Sequence, residues 1–140
     1  MTNKVQNQND KKYDLPERTA VFGENAIDFL KTVEKYEITR PLISQCIRSV
    51  TSIGANYMEA DGAESKKDFR HKIGICKKES KETMHWMRMI ARATSREEEC
   101  RVLWKEAQEL TFIFATIINT SLANEEKLKA QKLNEKVQDI

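Results

Sequence analysis

Between positions 69 and 90, Phe69, Ile73, Cys76, Ser80, Thr83, Met87 and Ile90 recur at steps of four and three without a break. Only an α-helix brings that spacing onto one face, and a stripe kept over three heptads is a bundle seam. A strand repeats every two residues and cannot use it. The chain must therefore supply other helices of similar length to cover this one.

The rest of the sequence supplies them. A first helix is expected from about Leu15 to Lys35, with Asp14 as its cap and Pro16 in its first turn. Its stripe is Phe22, Ala26, Phe29, Val33 and Tyr36. A second is expected from Thr39, with Pro41 in its first turn, to about Ala60, where Asp61-Gly62 signals a stop. Ser65 is a good cap for the third helix, which should reach Ala93. Ser95 and Glu98 match a capping box for the fourth, and Glu97, Glu98 and Glu99 suit a positive helix N-terminus. That helix carries Leu103, Ala107, Leu110, Phe114, Ile117 and Ser121. Short connections between four comparable helices predict an all-α, antiparallel up-down-up-down four-helix bundle over residues 13–123. Residues 1–12 read as a disordered polar tail. Residues 124–140 read as a charged extension of the fourth helix or a frayed tail.

Several chemistries are disfavoured. At 140 residues the chain is one domain, and its net charge of +2 selects no partner. Three separated cysteines, 46, 76 and 100, with no secretory pattern, point to a reducing, cytoplasmic setting. No apolar run approaches the ~20 residues that span a bilayer. Glu82-x-x-His85 and Asp68-x-x-His71 each resemble half of a di-metal carboxylate site, but both lie on one helix and there is no third histidine. They read as surface residues. No nucleophile set or glycine-rich phosphate loop is present, so no enzyme, metal or cofactor is expected.

Charge is sorted along the chain. Residues 38–94 hold eleven bases and six acids, whereas 13–37 hold three bases and six acids. Arg70, Lys77, Lys81, Arg88 and Arg92 recur along one side of the third helix and form a candidate phosphate-backbone footprint. The alternative is a solvated face with salt bridges to the acidic first helix, on a scaffold that binds only protein. Gln45, Arg48, Ser49, Ser52 and Asn56 sit on or beside apolar faces of the second helix. Gln45, Arg48 and Asn56, with Glu82 as the carboxylate partner, are expected to form a structural polar network. The second helix carries a neighbouring apolar stripe, Ile43, Ile47, Val50, Gly54 and Tyr57, and the fourth adds Trp104, Ile113 and Ile118 outside its seam. That surplus reads either as a wide buried arc in a compact monomer or as a bundle core on one face and a subunit interface on another. The second is favoured, because one apolar stripe per helix suffices for a monomer, and it predicts a homo-oligomer.

The blocks YDLPERTAVF at 13–22, then Gln45, Arg48, Ser49, Ser52, Ile53, Asn56 and Glu59, then Ser65, Lys66, Phe69, Glu82 and Trp86 carry a resemblance. Over about Tyr13 to Leu122 the chain resembles the four-helix-bundle family of proteins encoded in intervening sequences of large-subunit ribosomal RNA genes, labelled S-twenty-three ribosomal protein. It is similar as well to the accessory variability proteins of diversity-generating retroelements. Ala60-Asp61 departs from the pattern, since many relatives have glycine soon after the glutamate. The resemblance implies a ring, a pentamer, with no catalytic residues. By analogy with the retroelement relatives it implies RNA or DNA binding and a reverse transcriptase as partner.

Overall fold

The computed structural model describes residues 14–139. Four helices follow one another: α1, Leu15–Thr32; α2, Thr39–Asp61; α3, Lys66–Ala93; and α4, Glu97–Gln138. They form the expected antiparallel up-down-up-down bundle, and the described residues contain no strand. The expected tail at 1–12 lies outside the described residues. The stretch from Asn124 continues α4 rather than ending it.

α3 is the central member. It packs extensively against α2 on one side and α4 on the other, whereas α1 leans on α2 and touches α4 only lightly. Its predicted seam is fully buried from Ile73 through Cys76, Ser80, Thr83 and Met87 to Ile90. From α2, Ser49 meets Thr83 and the Ile53 carbonyl receives the Cys76 thiol, while Ala107, Leu110 and Phe114 of α4 are buried in the same core. The hydroxyls in this seam are satisfied inside it. Ser80 donates to the Cys76 carbonyl and Thr83 to that of Glu79, both at 2.8 Å. Ser49 and Thr83 share a 2.9 Å hydrogen bond between helices. Among the described residues no buried side-chain nitrogen or oxygen is left without a partner, which removes the main cost of a polar seam. Burial pushes the Cys46 and Cys76 thiols up to about 12 and that of Cys100 to about 11. All three cysteines are free.

Two helix boundaries differ from expectation. α1 ends at Thr32, three residues early, because Val33 turns extended. The buried Thr39 hydroxyl then organises the link, donating to the Glu34 carbonyl at 2.6 Å and accepting the Tyr36 N–H at 2.9 Å. Tyr36 is thereby removed from the α1 stripe, and its hydroxyl instead donates to the Ala93 carbonyl at the end of α3. The capping box expected at Ser95 does not form. Arg96 occupies the cap position with no side-chain cap bond, and Ser95 is exposed. The Arg96 guanidinium grips the Thr32 carbonyl and hydroxyl on α1, bonds Glu99 and lies 5.0 Å over the Phe29 ring. Those contacts fix residue 96 at the turn, and the Thr94 hydroxyl takes its N–H.

Most of the surplus apolar surface is consumed within one chain. Val50 is fully buried, Gly54 meets Thr19 of α1, and Tyr57 packs near Phe114. Trp104, Ile113 and Ile118 are half-buried against the core. The arc that predicted an interface is therefore largely core, and of its α2 stripe only Ile47 is exposed. Beyond α3 the last turns of α4 are exposed on all sides.

The cap assignments are testable as a pair. Ser65 accepts the Asp68 N–H at 3.0 Å, so Ser65→Ala should cost about 0.5–2 kcal/mol in urea unfolding. Ser95→Ala should change stability by less than about 0.5 kcal/mol. Equal losses at both sites would restore the capping box.

Candidate nucleic-acid interface

α3 presents its two flanks to two different neighbours, and its charges divide accordingly. Toward α2, Lys72 meets Glu59 at 2.9 Å, and Glu79 and Glu82 receive Arg48. Toward α4, Arg70 meets Glu125 at 2.6 Å and Ser121 at 3.2 Å. The sequence alternative, in which α1 supplies the acids, does not match this packing. α1 lies diagonally across the bundle from α3, and among the described residues every ion pair leaving α3 goes to α2 or α4. The one ion-paired base of α1, Arg18, instead reaches α4, gripping Glu106 with two nitrogens and Glu109 with one.

The five bases named from sequence do not share one fate. Arg70 is mostly buried and committed to Glu125, so it is withdrawn from the set that solvent phosphates can reach. Lys81, Arg88 and Arg92 are exposed and Lys77 is half-buried. Among the described residues none of these four has a carboxylate within ion-pair distance. They are cations held in a row with no internal neutralisation.

At the far end of this row a groove of about 610 Å³ opens between the end of α3 and the start of α4. Arg88 and Arg92 line one wall, and Arg101, Trp104 and Lys105 line the other. Met87 and Ala91 form the apolar floor with Cys100, and Glu97 is the single acid. Arg101 makes a loose pair with Glu98 at 3.5 Å, and both side chains are exposed. Sequence reasoning missed this second wall because the groove joins the end of one helix to the start of the next, and each helix was read by itself. One signal was available: Trp104 lies outside the α4 seam and is flanked by Arg101 and Lys105.

The expected polar network forms in part. Arg48 donates to Glu82 and, at 3.4 Å, to Glu79, while Gln45 accepts from Arg48 at 3.5 Å. Trp86, not foreseen here, donates its indole N–H to Glu82 at 3.2 Å. Asn56 does not join. It lies eight residues along α2 from Arg48, about 12 Å at helical rise, and donates to the Ser52 carbonyl on its own helix. Nor is the network a buried charge cluster, since the Arg48 side chain is 47% exposed. Glu82 still titrates abnormally. Partial burial alone would raise its pKa, but hydrogen bonds from Arg48 and Trp86 and the Arg48 charge outweigh it and hold the carboxyl below the usual range. The two histidines are exposed, and His85 meets the Trp86 ring edge-on at 4.9 Å. Among the described residues no group of three His, Cys, Asp or Glu is arranged to hold a metal ion.

The sequence profile of the family of 23S rRNA-intervening sequence proteins matches residues 11–116. No curated protein matches the chain. One solved structure, a protein of unknown function from the S23 ribosomal protein family of Bacteroides thetaiotaomicron, superposes with a TM-score of 0.67. It is 26% identical, and the alignment covers 78% of this chain and 98% of that one.

The Glu82 contacts predict a pH dependence of fixed sign. A carboxyl whose folded pKa is depressed contributes stability above its unfolded pKa, about 4.3, and loses it as pH falls through the lower folded value. The stability difference between the parent and Glu82→Gln should therefore be largest above about pH 5. It should shrink steadily toward pH 3 in denaturant titrations. A difference that does not vary with pH would show that Arg48 and Trp86 do not hold the carboxylate.

Proposed function

Because the chain belongs to the 23S rRNA-intervening sequence protein family, we propose that it is a non-enzymatic, homo-oligomeric adaptor that binds nucleic acid by its phosphate backbone. The α4-facing flank of α3 is the binding surface. One observation carries this reading: Lys77, Lys81, Arg88 and Arg92 stand in a row with no carboxylate partner, while Arg48, Arg70 and Lys72 on the same bundle are all paired. From position 77 to 92 the row runs about 22 Å along the helix, enough to follow several successive phosphates of one strand. Such contacts neutralise charge without reading bases, so binding is weakly sequence-selective. A ring of copies would multiply the footprint, and five is the number the family resemblance implies. Support for self-association comes from Val102, Phe112 and Met58, each more than 60% exposed, since large apolar side chains left in water favour a covering partner. Three unpaired, buried thiols suit a reducing compartment.

Two measurements bear on this reading. Neutralising four phosphates predicts that the logarithm of affinity falls with the logarithm of salt at a slope of roughly −3 to −4. Lys77→Glu, Lys81→Glu and Arg88→Glu combined should abolish binding while leaving helicity and mass unchanged. A parent that binds neither single- nor double-stranded RNA or DNA at low salt would favour a scaffold that meets only protein. Light scattering coupled to size exclusion should give a multiple of 16.3 kDa. A single-chain mass throughout the micromolar range would end the oligomer proposal.

A further inference from the structure

The groove at the end of the cationic row has a composition that backbone binding alone does not need. Four cations stand around it, Arg88 and Arg92 from α3 and Arg101 and Lys105 from α4, against one acid, Glu97. Between the α4 cations sits Trp104, half-buried and lining the opening. Among the described residues Trp104 enters no aromatic pair and no cation–π contact. Trp86, by comparison, is engaged by His85 and Glu82. An indole placed in an apolar-floored groove and ringed by cations is the combination that holds an unstacked base between two phosphates.

We infer that this groove takes one unpaired base of a single-stranded nucleic acid on the Trp104 indole, with the flanking phosphates on Arg88, Arg92, Arg101 and Lys105. The inference rests on the reading that α3 meets nucleic acid, and it adds the strand type and the stacking residue. The groove's volume of about 610 Å³ lies within the ordinary range for a small-ligand site, so one nucleotide fits. Bases inside a duplex have both faces covered by their neighbours, so only an unpaired base can lie on the indole. The walls offer positive charge and an aromatic face, with little to read a base edge. The site therefore prefers single strands without strongly preferring a sequence.

The test uses the full chain and three probes of equal length: an oligothymidylate, an abasic deoxyribose-phosphate strand and a DNA duplex. The parent should bind the oligothymidylate at least about tenfold more tightly than the abasic strand, the scale of one stacked base. Trp104→Ala should remove that preference, weakening oligothymidylate binding by about 5- to 100-fold, and leave abasic and duplex affinities unchanged. Trp104→Phe should retain part of it. Trp86→Phe leaves Trp104 as the only tryptophan of the two. In that variant the emission should be quenched by oligothymidylate and not by the abasic strand, a readout that alters no residue of the groove. Equal affinity for oligothymidylate and abasic strand, with no selective quenching, would overturn the stacking site while leaving backbone binding in place. Failure of all three probes to bind would overturn the backbone reading and this inference with it.

Discussion

The close approach of α3 to both its neighbours is the constraint on which the rest of this bundle depends. A helix whose seam reads Ile73, Cys76, Ser80, Thr83, Met87, Ile90 sets three small side chains in succession between bulky ones. Among the small ones Thr83 meets Ser49 of α2, and Cys76 reaches the Ile53 backbone carbonyl at 3.5 Å. Such a seam packs to interior density only if the helices come close together. Closeness has a polar cost, because hydroxyls are buried with the methyls. Ser80 and one of the pair Ser49 and Thr83 return their protons to a carbonyl one turn back, and the other hydroxyl of that pair donates across the gap between the helices. The centre is thus specified by hydrogen bonding as well as by volume.

With α3 clamped on both sides, its flanks cannot exchange neighbours, and this turns a one-dimensional charge pattern into a surface. The α2 side collects Glu79 and Glu82 around Arg48. The α4 side collects bases, and what α4 brings to meet them decides their state. After Glu97, which forms no ion pair among the described residues, it supplies Trp104, Thr111 and Ser121 before it supplies Glu125. Only Arg70, level with Glu125, finds a carboxylate, and the bases further along stay unpaired. Their availability is a property of register between two helices as much as of their own positions.

The end of the bundle at which α1 and α3 finish is held by side chains reaching across the chain. Tyr36 closes the last turn of α3, Arg96 holds the last turn of α1, and Thr39 folds the link between α1 and α2. These bonds join residues 57 and 64 apart in sequence as readily as neighbours. They explain why local end signals misplaced both adjoining boundaries. A capping box has a free-energy advantage of about 1 kcal/mol, which a guanidinium with four hydrogen bonds overrides.

The sequence by itself determined the helices, their order and the buried face of each. Heptad spacing is a local property, and burying an apolar stripe is favourable whatever covers it. Asp14 and Ser65 were readable as caps for the same reason: a cap bonds within one turn. The cationic side of α3 was readable too, because its bases lie on one helix. Tertiary structure alone decided which of those bases remain free, since Arg70 differs from Lys77 only in what α4 places opposite. It decided that Glu82 stands level with Arg48 rather than with Asn56, whose eight-residue distance from Arg48 was already legible. It also brought Trp104 to the cations of α3. Distances between helices are set by the packing of all four, and no pattern within one helix encodes them.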